Sequence, residues 1–132
     1  MKSAFSLLEL IFVIVILGII ASFAVPKFLD TKDSATASTI KRDVDTAVNS
    51  IQSYFMLNQT ISAISDAINV NTTNWSLDSN TKISDKRGCL SLEIVTVSAS
   101  VKNLQLNLTT SASSICAKLR NTGLITKTYE LN

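Results

Sequence analysis

With 132 residues, the chain has room for one small domain, and a segment that enters a membrane would subtract from the core of that domain. Twelve Lys and Arg residues against ten Asp and Glu residues give a net charge of +2, too small to indicate an acidic partner by bulk charge. The chain has no histidine, and its two cysteines could supply only two of the four ligands of a structural zinc ion. Because no phosphate loop or catalytic constellation is present either, we expect no enzymatic activity, no metal and no other cofactor.

The first predicted element is an apolar helix from Phe5 to Val25. The stretch from Leu10 to Ile20 consists almost wholly of β-branched residues and leucine. As a helix, the twenty-one residues from 5 to 25 span about 31 Å, close to the hydrocarbon thickness of a bilayer. The segment therefore predicts a single membrane-spanning helix, and the few charges that flank it do not orient it.

Glu9 is the residue in this segment that membrane insertion alone does not explain. A carboxylate within a bilayer is costly unless it is paired or reaches the interface, so it indicates a function with a partner. An ordinary secretory signal, cut after the small-x-small sequence Ser22-Phe23-Ala24, does not require a carboxylate at this position. A plain membrane anchor does not require one either. The simplest alternative is that Glu9 lies close enough to the helix end to reach the interface.

The sequence FSLLELIFVIVILGIIASFAVPKF resembles the N-terminal segment of type IV pilins and of the pseudopilins of type II secretion and DNA-uptake machines. The resemblance covers roughly the first thirty residues. It implies a leader from Met1 to Ala4, cleavage by a prepilin peptidase between Ala4 and Phe5, and N-methylation of Phe5. The family usually carries glycine at the position of Ala4.

The resemblance also implies roles for three further residues. Glu9 becomes the fifth residue of the mature chain, the family's acidic position, where it pairs with the new α-amine of a neighbouring subunit and fixes the axial register. Gly18 and Pro26 fall where the family loosens its helix. From the residues alone, Pro26 could equally end the membrane helix or lie within a longer one.

The function implied by the resemblance is that of a structural subunit of a type IV pilus-like filament. Such a subunit waits in the bacterial inner membrane as a single-pass precursor with a periplasmic head, and then enters a periplasmic or cell-surface filament. Its partners would be like and unlike subunits, the prepilin peptidase and methyltransferase, an inner-membrane assembly platform and the lipid bilayer. The machine could serve type II secretion, DNA uptake in competence, or a pilus. The alternative is an exported or tethered binding domain released by ordinary signal peptidase.

The stretch from Phe28 to about Asn58 continues as an amphipathic helix. Its apolar positions recur at a spacing of three or four residues, and no glycine or second proline interrupts it. We therefore predict one long helix, loosened near Pro26. This gives three parts: a leader at 1–4, a hydrophobic transmembrane and assembly helix at 5–29, and a globular head at 30–132.

Beyond this helix the pattern predicts a small antiparallel sheet. A short helix of about two turns is expected between Ile61 and Ile68, followed by a long connection from Asn69 to Gly88. CLSLEIVTVS and NLQLNLT then alternate with period two, and LITKTYELN is a plausible closing strand after a short helix that ends at Gly123. The fold class is therefore α+β and pilin-like, with about three strands packed on the second half of the long helix.

Cys89 and Cys116 are candidates for a disulfide. An exported head lies in an oxidising compartment, and a bridge closing a loop of about 28 residues would contribute roughly 3 to 4 kcal/mol. Two buried thiols are the alternative, because spacing alone does not establish proximity.

Six basic residues of the predicted head form a second candidate site. If they cluster, they could contact the phosphates of a nucleic acid. No aromatic residue is interleaved with them, so a solvated mixed surface is the favoured interpretation and nucleic acid an unlikely partner. The six are Lys82, Lys86, Arg87, Lys118, Arg120 and Lys127.

Overall fold

The computed structural model describes residues 4–131 and is α+β: one long helix and a five-stranded antiparallel sheet. The chain divides into two compact units, one ending at Asp33 and one beginning at Ser34, four residues after the boundary expected from the sequence. Most of the implied leader, Met1 to Ser3, lies outside the described residues.

The long helix, α1, spans Leu7–Asn58. It continues through Pro26, which settles the alternative that the sequence left open at this residue. Pro26 has no N–H to donate to the carbonyl of Ser22, one turn earlier, so the helix lacks one backbone hydrogen bond at this point.

The second part of α1 buries a stripe of apolar side chains against the sheet. The stripe follows the helical repeat predicted from the sequence, so each turn presents one or two side chains to the core. It consists of Ala37, Ile40, Val44, Ala47, Val48, Ile51 and Phe55. The helix ends where Gln59 adopts a positive φ of 58° and its N–H donates to the carbonyl of Phe55 at 2.7 Å.

The sheet lies entirely in the second unit. Its strands pair in sequence order, each antiparallel to the next. They are β1 (Trp75–Ser79), β2 (Lys82–Asp85), β3 (Leu90–Ser98), β4 (Val101–Leu108) and β5 (Lys127–Leu131).

One face of the sheet forms the core with α1, and the other face is polar. Alternation along β3 and β4 buries Leu92 and Leu104 while Glu93 and Gln105, which are paired with each other across the two strands, lie on the opposite face. Burying one such aliphatic side chain contributes about 1.5–3 kcal/mol, so this face and the α1 stripe supply most of the head's stability.

The sheet has five strands, two more than the three or so that the sequence predicted. The predicted strands are β3, β4 and β5, and the addition is a hairpin of β1 and β2 within the stretch expected to be a long connection. β1 is an edge strand with one buried side chain, Trp75, and its other residues are exposed or half-buried, so alternation was too weak to detect. The helix expected near Ile61–Ile68 is a single 3-10 turn, Ile64–Asp66.

A second helix, α2 (Ser114–Asn121), joins β4 to β5. The Ser113 hydroxyl accepts a hydrogen bond from the Cys116 N–H at 3.3 Å and caps its start. After its end, Gly123 has a φ of +94°, as expected for the glycine predicted to end this helix. Cys116 on α2 and Cys89, just before β3, form a disulfide with both residues buried.

Candidate functional site

The first unit presents an apolar surface along the described part of its helix. α1 contains the one segment among the described residues that is long and apolar enough to cross a membrane, and no residue of that segment is buried. Its large side chains are about half exposed or more, with Phe5 and Leu7 at 75% and 76%. A surface of this size in water is unfavourable, so lipid or other protein must cover it.

Glu9 lies in the first turn of α1. Its N–H donates to the Ser6 hydroxyl at 3.2 Å, so Ser6 caps the helix. Serine followed three residues later by glutamate is the spacing of a capping box, and a carboxylate in a first turn also interacts favourably with the helix dipole. This local role of Glu9 was not predicted, although the spacing of Ser6 and Glu9 in the sequence indicates it.

The other predicted assembly residues lie along the same segment. Ala4 and Phe5 precede α1 in irregular, exposed backbone, the kind of segment that fits a peptidase. Gly18 lies within the helix with open space around its Cα. Near Pro26, the Ser22 hydroxyl donates to the Ile19 carbonyl at 2.6 Å.

The six basic residues considered for nucleic acid do not form one cluster. Lys82 pairs across the strands with Glu93, on the polar sheet face. Lys127 begins β5 and its ammonium lies 4.9 Å from the centroid of the Tyr129 ring. The remaining four lie around the turn after β2 and on α2.

These four residues, Lys86, Arg87, Lys118 and Arg120, are here called the basic end of the head. Thr109 connects the two segments that carry them: its hydroxyl donates to the Gly88 carbonyl at 2.7 Å, and its carbonyl accepts from Arg120 Nη1 at 3.2 Å. Lys118 donates to the hydroxyl of Ser34, the first residue of the second unit, at 3.0 Å.

Trp75 is buried and has a structural role. A cavity of about 170 Å³ lies beside it, lined in part by Arg42 and Asp43 of α1. The indole N–H of Trp75 donates to Asp43 Oδ2 at 3.1 Å, which holds the ring against α1.

Asp78 and Asp85, two carboxylates that could offer oxygen ligands to calcium, lie on different strands. Asp78 is exposed on β1, whereas Asp85 is buried and accepts from Arg87. Within residues 4–131, no group of three or more acidic, histidine or cysteine side chains is placed to hold a metal ion.

No family model, no curated protein and no solved structure matches this chain.

Proposed function

We propose that this chain is a structural subunit, a pilin or pseudopilin, of a type IV pilus-like filament. The observation that carries the proposal is the position of Glu9, at the start of an uncovered apolar helix that continues into the core helix of an α+β head. In this proposal a prepilin peptidase cuts between Ala4 and Phe5, and the apolar helices of neighbouring subunits then pack in the filament core.

Cleavage at Phe5 would create a charge that needs a partner. The new α-amine would lie two residues before the first residue of α1, Leu7. The start of a helix carries partial positive charge, so a cation there is destabilised. A carboxylate from the helix start of a neighbouring subunit would neutralise the amine in a water-free core, where an unpaired charge is costly. This argument gives Glu9 an intermolecular role in addition to its place in the first turn.

The mass of the intact mature protein separates this proposal from its alternatives. A chain that starts at Phe5 and carries one additional methyl group supports the filament subunit. A start at Val25 indicates an exported domain released by ordinary signal peptidase, and an unprocessed start indicates a simple anchor. The measurement requires expression in a cell that contains a prepilin peptidase.

Substitution of Glu9 tests the assembly step. We expect Glu9→Gln to insert into the membrane normally but to lower filament yield by roughly a hundredfold or more, because one charge of a buried pair is left uncompensated. Filaments sheared from cells and quantified by immunoblot against the membrane fraction provide the measurement.

Ser6→Ala is the matched control, because it removes the helix cap but leaves every charge in place. It should cost about 1 kcal/mol of helix stability and lower the yield much less than Glu9→Gln does. Similar small losses in both variants would mean that Glu9 only stabilises the start of α1, and the intermolecular role would be excluded.

A further inference from the structure

We propose that the cavity beside Trp75 binds a free amino acid with a small branched aliphatic side chain, such as valine. All residues that line the cavity belong to the second unit. Binding therefore requires neither the membrane segment nor assembly into a filament, and this proposal and the proposed function can fail separately.

The inner wall of the cavity is apolar. Trp75 and Ile83 of the sheet are 5% and 2% exposed, Ala47 of α1 is buried as well, and Ile68 and Val70 complete this wall. The volume of about 170 Å³ corresponds to about five or six water molecules at ~30 Å³ each. Water finds few hydrogen-bond partners on such a wall, so its displacement by an aliphatic group is favourable.

The solvent side of the cavity carries one cation and one carboxylate. Arg42 is exposed, and it forms no hydrogen bond or ion pair with any residue from 4 to 131. Asp43 is half-buried: its Oδ2 accepts from the indole N–H of Trp75, while its Oδ1 accepts from no residue in the same range. Thr46 adds a hydroxyl one turn after Arg42. The cavity therefore offers both a guanidinium and a carboxylate oxygen to a ligand.

This pair of opposite charges selects the class of ligand. An inorganic anion is repelled by Asp43, and a simple amine is repelled by Arg42. A free amino acid carries both charges next to one carbon atom. Its carboxylate accepts two parallel hydrogen bonds from the guanidinium of Arg42, and its ammonium donates to Asp43 Oδ1. Its side chain then enters the apolar part of the cavity, against Trp75.

The part of the wall formed by residues 68–71 is fixed by hydrogen bonds within the chain. The Ile68 N–H donates to the Ile64 carbonyl at 3.1 Å, and the Asn71 carbonyl accepts from the Trp75 N–H at 3.0 Å. The Asn71 side chain also accepts from the Thr73 N–H at 2.9 Å. A site that is already formed costs little conformational entropy on binding, which favours a ligand that makes few contacts.

Trp75 is the one tryptophan of the chain, so its fluorescence reports on the cavity. The full chain, in micelles of a non-ionic maltoside detergent, would be titrated with valine. We expect a saturable change in Trp75 emission. Alanine should bind about tenfold more weakly or worse, because it leaves part of the apolar volume unfilled, and phenylalanine, which is too large, should cause no change. Valinamide lacks the carboxylate and N-acetylvaline lacks the amine, so each should also bind about tenfold more weakly or worse.

Substitutions on α1 test each charge separately. Arg42→Gln should weaken the binding of valine by about tenfold or more but change that of valinamide little, because valinamide has no carboxylate. Asp43→Asn keeps an oxygen for the indole N–H, and it should weaken valine while changing N-acetylvaline little. Lys41→Gln and Asp45→Asn are the matched controls: these two residues pair with each other at 3.0 Å and do not line the cavity. Both controls should bind valine as the wild type does.

Several results would overturn the proposal. One is the absence of a saturable change with valine in a chain whose cooperative unfolding shows that it is folded. Another is equal weakening in Arg42→Gln and Lys41→Gln, which would indicate a general effect of charge. A response to benzene but not to valine would assign the cavity to uncharged apolar molecules. A change in emission that follows protein concentration without any amino acid would assign it to a side chain of a second copy.

Discussion

Asp85 is the one buried charged side chain within residues 4–131, and it organises the turn between β2 and β3. Its carboxylate accepts from the Cys89 N–H at 3.4 Å and lies 3.5 Å from Arg87 Nη1. Its own carbonyl accepts from the Gly88 N–H at 2.9 Å, and Gly88 has a φ of +73°. A buried carboxylate is tolerated here because the turn and a cation satisfy its oxygens.

We therefore expect Asp85→Ala to lower the free energy of unfolding by about 1–3 kcal/mol, because it leaves the Cys89 N–H without its partner in a buried site. Denaturant titration followed by Trp75 fluorescence measures the change. Asp78→Ala is the control: its side chain is exposed on an edge strand, and the expected effect is within about 0.5 kcal/mol. Equal losses in the two variants would show that Asp85 does not organise the turn.

Single residues of the candidate site were predictable only where they break a pattern. Glu9 was visible as a charge beside an apolar run. The four residues of the basic end were named among six candidates, but the sequence did not show which of the six lie together. The pairing of β3 with β4 and the disulfide between Cys89 and Cys116 bring the segments of Lys86 and Lys118 together.

Among the elements, those with a strong period were predicted correctly. α1, β3 and β4 each bury one face, so the spacing of apolar residues in the sequence is enough to predict them. The hairpin of β1 and β2 was missed because its strands are short and bury only two apolar side chains, Trp75 and Ile83. Edge strands of this kind carry little information in their side chains.

The disulfide between Cys89 and Cys116 connects the start of β3 with α2, an element of eight residues. So short a helix is not stable alone, and its position depends on its buried residues and on this bridge. We expect reduction to lower the free energy of unfolding of the head by roughly 3 to 4 kcal/mol, the loop-closure contribution of a loop of this length.

Denaturant titration with and without reductant measures this effect, and alkylation followed by mass determination verifies the thiol state. Reductant should have no effect on a Cys89→Ala/Cys116→Ala variant, which is the control for non-specific action. Identical unfolding curves for oxidised and reduced wild-type protein would show that packing alone holds α2.

At the scale of the whole molecule, the two units require different surroundings. The first unit exposes apolar side chains along its length, whereas the second buries its own in one cluster. The hydrophobic effect therefore drives the first unit into lipid or into contact with other protein, and folds the second in water. This division is compatible with a protein that is anchored by its first unit and exposes its second unit to water.

The division predicts that the head folds without the apolar segment. Every buried residue lies at or after Ala37, so a chain that begins at Ser34 keeps the entire core. We expect this truncated chain to be soluble and monomeric, as measured by light scattering. Its free energy of unfolding should lie within about 1 kcal/mol of that of the full chain in detergent, because it keeps every buried apolar side chain of residues 4–131.

A chain that begins at Asp43 is the matched control, because it also removes Ala37 and Ile40 from the core stripe. The cavity left by these side chains should cost about 2–5 kcal/mol more. If the chain beginning at Ser34 aggregates or lacks a cooperative transition while the full chain folds, the head needs the apolar helix for stability.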